Sequence, residues 1–358
     1  MTPLSATDAI APAWQHTRRL LLGPRDPRLF FKIAAVAFFA EMLSGSFSFS
    51  SPIHNTTHGS GGSVSPSIIA AILALVFVAA IVGVIVGLVL FYLSSRLQFT
   101  IFHIVLRSET TVAPIWRRYG PATWRWMGLK ILFFLCAFAC LLPILVPGIF
   151  YFIHAVSLQS HGDNSHIIGF IFTIFSFVAI ILLFVFVLSV ATILLRDFAV
   201  PSMALEGTPL RETVRRVIAL TRAEPGQVGL YVLLRVCLGI AGAFVSYLVL
   251  GILALVVGAP LGGVGFGLWK GLHLAGAGAR AGMIAGWVVL ALALLAVLAV
   301  GVICLFGYLF TFLQAYAIFF LGGRYPLMGQ LLVEPPAPIV PTRQPQAWTP
   351  AYYTPPPA

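Results

Sequence analysis

Long apolar stretches with very few charged residues occupy most of this chain, and they constrain its fold more than any other feature. Six of them have the length that an α-helix needs to cross the hydrocarbon core of a bilayer, about 17 to 25 residues or more. They are residues 30–47, 67–94, 129–157, 167–195, 228–257 and 283–321. The sequence therefore predicts an all-α integral membrane bundle of about six transmembrane helices.

The composition supports a membrane protein and argues against a nucleic-acid partner. Of the 358 residues, 60% are hydrophobic and only 9% are charged, whereas soluble domains carry about 25% charged residues. The net charge of +11 would suggest nucleic-acid binding in a soluble protein. Here the basic residues lie between the apolar stretches, where they orient the chain and meet anionic lipid head groups.

The basic residues are distributed very unevenly between the two sides of a six-span arrangement. In that arrangement 19 of the 21 Lys and Arg residues fall on one side, and only Lys270 and Arg280 fall on the other. Segments rich in Lys and Arg remain in the cytoplasm. We therefore expect both termini to be cytoplasmic, with the first helix running outward and the sixth running back.

The chain divides into three parts by composition. Residues 1–29 form a basic cytoplasmic lead-in, residues 30–322 form the six-helix membrane domain, and residues 323–358 form a cytoplasmic tail. Nine of the last 24 residues are proline, which predicts a disordered or polyproline-II segment. Such a tail is either simply solvated or a docking peptide for a protein partner that recognises proline.

Two basic segments between the spans are predicted to form amphipathic cytoplasmic linkers. Residues 210–222 place apolar side chains on one helical face and arginines on another, which suits a helix lying in the head-group layer. One interpretation is that these linkers only anchor and orient the chain in the membrane. The other is that they bind an anionic lipid head group. The candidate head-group ligands are Arg117, Arg118, Arg125, Arg211, Arg215, Arg216 and Arg222.

Three further features bear on packing. Trp116, Trp124 and Trp126 alternate with the arginines of the first linker, as in an interfacial aromatic belt. Gly83 and Gly87 form a pair of small residues four positions apart, which favours close helix packing. The two segments of helix, basic linker and returning helix also look alike, which suggests an internal duplication.

Glu41 is the acidic residue that lies well inside an apolar stretch. A carboxylate in hydrocarbon is costly and often functional, so Glu41 is a candidate for a transport or proton-relay role. The predicted direction of the first helix places it towards the outer face. A small-molecule transporter or permease is therefore the alternative function.

Catalytic and cofactor motifs have no support in the sequence. We find no paired carboxylates, no Ser/His/Asp set in a plausible context and no phosphate-binding loop, because the glycine-rich residues 258–286 do not follow a strand. Neither a cofactor nor a metal is expected. The sequence favours a non-enzymatic membrane module that binds anionic lipid or a protein partner.

Three segments carry a family resemblance: LLGPRDPRLFFKIAAVAFFAEMLSGSFSFSSP, the region from FYLSSRLQFTIFHIVLR to WRRYGPATWRWMGLKI, and LLRDFAVPSMALEG. They resemble a family of uncharacterised bacterial membrane proteins, a domain of unknown function, across roughly residues 15–330. That family is similar to the membrane domain that precedes the catalytic domain of some glycerophosphodiester phosphodiesterases. The resemblance implies a multi-pass protein of the bacterial inner membrane. It does not imply phosphodiesterase activity, because a proline-rich tail follows instead of a catalytic domain.

Overall fold

A computed structural model describes residues 3–23, 26–45, 66–108, 112–159, 167–274 and 277–333. Across these residues the chain forms ten α-helices and no β-strand, which confirms the predicted all-α class. The helices are α1 (Ile10–Leu22), α2 (Pro27–Gly45), α3 (Pro66–Arg107), α4 (Val112–Arg118), α5 (Gly120–Gln159), α6 (Ile167–Leu205), α7 (Leu210–Ala223), α8 (Pro225–Leu274), α9 (Ala277–Gly322) and α10 (Pro326–Val333). The proline-rich tail beyond residue 333 lies outside the described residues.

Five of the described helices are long and apolar enough to cross a membrane. The candidate spans are Leu73–Arg107, Gly120–Phe150, Ile174–Leu205, Pro225–Gly267 and Ala281–Gly322. In the most apolar window of each span, at most 11% of the residues are buried. Apolar side chains that face outward in this way suit a lipid environment. We call the exposed apolar halves of these five helices the apolar belt.

The predicted first span corresponds to α2, and the structure does not confirm it as a span. Its 19 residues include Arg28, Lys32 and Glu41, so its charge content exceeds that of the five candidate spans. Its buried side chains lie on one face, at Ile33, Ala34, Ala37 and Ala40. This helix is therefore built to pack against protein along one side.

The packing of α2 on α9 also contradicts the predicted direction of the first helix. Ala34 touches α9 at Gly307, where an added Cβ atom would lie 2.3 Å from the Ala34 carbonyl oxygen. Seven residues further along both helices, Glu41 and Gln314 line the same small cavity. The two helices are therefore parallel, whereas the six-span prediction requires the first and sixth helices to be antiparallel. The small side chains on the buried face of α2 permit this close approach.

A compact core lies at one end of the molecule, and we call this end the base. It combines α1, α2, α4, α7 and α10 with the adjoining ends of the five spans, and Phe102, Trp126 and Tyr231 are fully buried in it. The Ala6 carbonyl accepts a hydrogen bond from the Tyr316 hydroxyl at 3.0 Å. The segment before α1 thus lies beside the end of α9, so both ends of the described chain lie at the base.

Candidate head-group site

Cationic side chains form a layer where the apolar belt meets the base. Each of four spans contributes one residue: Arg96 on α3, Lys130 on α5, Arg196 on α6 and Arg235 on α8. Lys130 and Arg235 are buried, with only 8% and 4% of their surface exposed. Buried charges need partners, because transfer out of water is costly when they stay unpaired. We call these four residues the cationic layer.

Glu41 is the partner of Arg196. The Arg196 guanidinium contacts both carboxylate oxygens of Glu41. Burial would raise the pKa of the Glu41 carboxyl, but the adjacent guanidinium outweighs it and holds the pKa below its ordinary value. The sequence analysis places Glu41 towards the outer face, on the opposite side from the two termini. This prediction is wrong, because α2 runs parallel to α9 and brings Glu41 to the base.

Asp197 is a second anchor of the cationic layer, and the sequence analysis missed it. Its carboxylate accepts from Arg235 Nη1 and from the Tyr231 hydroxyl, both at 2.7 Å. Arg235 also donates to the Leu313 carbonyl at 3.1 Å. These contacts join α6, α8 and α9. The signal available in the sequence was an acidic residue directly after Arg196 at the end of an apolar stretch.

Arg96 fixes the short helix α4 at the level of the cationic layer. Its Nε and Nη2 atoms donate to the Trp116 carbonyl at 3.0 and 2.6 Å, and its guanidinium lies 4.6 Å from the centre of the Trp116 ring. Arg117 and Arg118, the next residues, are exposed. Two of the predicted ligands are thus presented to solvent close to the end of the apolar belt.

The aromatic residues of the first linker divide into two environments. Trp124 has 66% of its surface exposed and packs on Tyr92, with ring centres 5.7 Å apart. Trp126 is buried, and its Nε1 donates to Gln98 Oε1 at 2.7 Å. The predicted interfacial position is therefore wrong for Trp126, because its ring is buried inside the base. There the side-chain amide oxygen of Gln98 accepts the hydrogen bond that the indole N–H donates.

Arg125 connects the two predicted linkers. Its guanidinium donates to the carbonyl of Gly207, in the turn before α7. Gly207 has a φ angle of +65°, a left-handed conformation that glycine adopts without steric cost. The same turn brings Leu210 to within contact distance of Gly128 on α5. Arg125 of α5 is thus placed next to the start of α7.

The helix α7 turns its apolar face towards protein. Leu210, Val214, Val217 and Leu220 pack against the core of the base. The base therefore covers most of the predicted apolar stripe, whereas Ile218 of the same stripe stays exposed. Head-group binding by α7 stays a prediction. The remaining predicted ligands on α7 are exposed, and they are Arg211, Arg215, Arg216 and Arg222.

Arg216 differs from the other arginines of α7 because it is already paired. It pairs with Glu212, four residues earlier on the same helix, at 2.5 Å and also contacts Glu206. Beyond the helix, Glu224 pairs with Arg324 at 2.8 Å. Arg324 lies just beyond the end of α9, and the eight residues of α9 that follow Gln314 correspond to about 12 Å of helix. The C-terminal end of α7 thus lies well away from the cationic layer.

Two cavities differ greatly in size. The cavity beside Glu41 has a volume of about 20 Å³, which is room for about one water molecule. It offers no space for a transported solute, so the geometry around Glu41 does not favour a permease. A groove of about 510 Å³ lies at the base between α6, α7 and α10.

One protein-family model matches nearly the whole chain. Residues 4–331 match DUF7544, which is described as a family of unknown function. The chain belongs to DUF7544. Membership of DUF7544 confirms the resemblance to a family without an assigned function. No curated protein and no solved structure matches the chain, so no named relative supports the likeness to the glycerophosphodiester phosphodiesterases.

Proposed function

We propose that this member of DUF7544 is a multi-pass protein of the bacterial inner membrane that binds anionic phospholipid head groups and catalyses no reaction. The observation that carries the proposal is the contact of Arg96 with Trp116. This contact holds α4 at the edge of the apolar belt and leaves Arg117 and Arg118 exposed there. The ligand chemistry is phosphate, because the guanidinium offers paired donors to its oxygens.

The depth of this site fits the head-group layer. The exposed apolar part of α3 extends to Val89, and Arg96 follows about 10 Å further along the helix. Each head-group layer of a bilayer is about 5 to 8 Å thick, so long side chains at this depth reach lipid phosphates. The exposed Trp124 on Tyr92 is typical of the same layer.

The orientation is part of the proposal. The base carries both ends of the described chain, and most of the basic residues flank the apolar stretches on this side. The tendency of such residues to stay inside supports a cytoplasmic base. The cytoplasmic leaflet is also the leaflet whose anionic lipids attract Lys and Arg.

Native mass spectrometry of the detergent-purified full chain tests the proposal. Short-chain phosphatidylglycerol and phosphatidylcholine are titrated separately, and the fraction of protein carrying lipid is measured. We expect tighter binding of phosphatidylglycerol. Each arginine contributes about 1 kcal/mol, so the double substitution Arg117→Gln/Arg118→Gln is expected to weaken this binding roughly 30-fold.

A matched control uses α7. Arg215→Gln/Arg222→Gln removes the same charge from exposed positions of this helix, whose C-terminal end lies beside Arg324 and away from the cationic layer. We expect this control to weaken binding much less. Equal affinity for the two lipids, or an equal loss in the two double variants, would contradict a head-group site at α4.

A further inference from the structure

The groove at the base has two helical walls and a closed floor. Ala219 and Leu220 of α7 form one wall, and Tyr325 and Met328 at the junction of α9 and α10 form the other. Phe198 of α6 lies at the floor and is buried. With a volume of about 510 Å³, the groove is large enough for a short peptide segment or a ligand of moderate size.

The chemistry of the groove suits an uncharged apolar occupant. Its arginines are already neutralised, since Arg216 pairs with Glu206 and Arg324 pairs with Glu224. The Tyr325 hydroxyl lies within hydrogen-bonding reach of the Glu206 carboxylate. The lining therefore presents apolar surface and paired charges to an occupant.

The chain itself contains a segment with this chemistry. Residues 334–358 follow α10, and Glu334 and Arg343 are their charged residues, whereas nine are proline. Proline-rich segments favour the polyproline-II conformation, which has no internal hydrogen bonds and keeps its carbonyl oxygens available. Grooves that recognise such segments combine apolar walls with aromatic side chains, as Phe198 and Tyr325 provide here.

The position of the tail makes docking within one molecule favourable. Helix α10 ends at Val333, only five residues after Met328 in the groove wall. A polyproline-II segment advances about 3.1 Å per residue, so a few residues are enough for the chain to return to the groove. Tethering also gives the tail an effective concentration of about millimolar.

We propose that residues 335–358 of this chain dock in the groove between α7 and α10. The proposal does not depend on head-group binding by α4. A lipid acyl chain would also fill the apolar walls but, unlike the tail, is not tethered beside the groove. A second copy of the chain would supply the same tail, without the advantage of the tether.

Photo-crosslinking in the full chain tests this docking. The substitution Ala219→p-benzoylphenylalanine places the photoreactive group in the groove at an exposed position of α7. The control is Ile218→p-benzoylphenylalanine, on the neighbouring exposed residue that does not line the groove. Mass spectrometry then identifies the cross-linked peptides. We expect at least about fivefold more cross-link to the tail from position 219, since docking raises the local concentration there.

A second full-length variant separates recognition from mere proximity. Replacing the nine tail prolines with alanine keeps the tether length but removes the polyproline-II preference, and we expect the cross-link from position 219 to fall to the level of the control. Equal cross-linking from positions 218 and 219, or an unchanged yield after proline replacement, would overturn the proposal. Cross-links from position 219 mainly to lipid or to a second copy would also overturn it.

Discussion

Among single residues, Asp197 has the most demanding position in the base. Its side chain is fully buried, and its carboxylate accepts from both Arg235 and Tyr231. The guanidinium of Arg235 is buried as well. In a buried ion pair the attraction only balances the loss of hydration, so the pair matters chiefly because neither member tolerates losing the other.

The substitution Asp197→Ala is expected to destabilise the protein strongly. It leaves the buried Arg235 without its counter-charge, a change that costs about 3 to 5 kcal/mol. Thermal unfolding of the detergent-purified protein measures the loss. The double variant Asp197→Ala/Arg235→Met should regain most of the stability, because an apolar side chain of similar length replaces the orphaned charge. A double variant no more stable than the single one would show that the pair is not the cause.

The sequence identified one member of the charge pairs at the base and missed its partner. Glu41 stands out because acidic residues in apolar stretches are rare, but its partner Arg196 lies 155 positions away. Arg196 itself has the appearance of any basic residue at the end of a span. Pairing of such distant residues depends on how the helices pack, and local patterns carry no information about it.

At the scale of helices, the predicted duplication stays a prediction, and its two candidate copies share one arrangement. The series α3–α4–α5 and α6–α7–α8 both consist of a long helix, a short helix and a long helix. In the first, Lys130 of the returning helix contacts Ser95 at 3.3 Å, and in the second, Arg235 contacts Asp197 at 2.7 Å. Each contact joins the end of one span to the start of the next at the cationic layer.

Glycine positions show where prediction from spacing fails. The pair Gly83 and Gly87 predicts close packing, yet an added Cβ atom at either position would meet nothing within 4 Å. The close approach occurs instead at Gly307, against the backbone of Ala34. Small residues allow helices to approach each other, but which glycine is used depends on the partner helix.

Replacing Gly307 with alanine is expected to destabilise the packing of α2 on α9. The new Cβ atom would lie 2.3 Å from the Ala34 carbonyl oxygen, a backbone atom that moves only if α2 moves. Overpacking of this kind costs about 1 to 3 kcal/mol. The matched control Gly87→Ala meets open space and should be neutral or slightly stabilising, since alanine favours a helix by about 0.5 to 1 kcal/mol. Thermal unfolding compares them, and equal effects would contradict the observed contact.

At the scale of the whole molecule, the fold class and five of the six predicted spans follow from composition. Length and hydropathy are local properties, so five apolar helices could be recognised directly. The position of α2 could not be recognised in the same way. Arg28 and Lys32 lie near the start of this helix whether it crosses the membrane or folds back along α9. The count of basic residues assigns Arg28 and Lys32 to the side of the termini, whereas in the structure they lie at the end of α2 away from the base.

Cysteine accessibility distinguishes these two arrangements. In a full-length background with the four native cysteines replaced by alanine, single cysteines are introduced at exposed positions of different elements, Thr7→Cys, Met42→Cys, Lys270→Cys and Gln330→Cys. Labelling with a membrane-impermeant maleimide is compared between spheroplasts and inverted vesicles. Because α2 runs parallel to α9 and ends at the base, we expect position 42 to label from the same side as positions 7 and 330, and position 270 from the other side. The six-span arrangement would instead group position 42 with position 270, so the behaviour of this one cysteine determines which arrangement exists in the membrane.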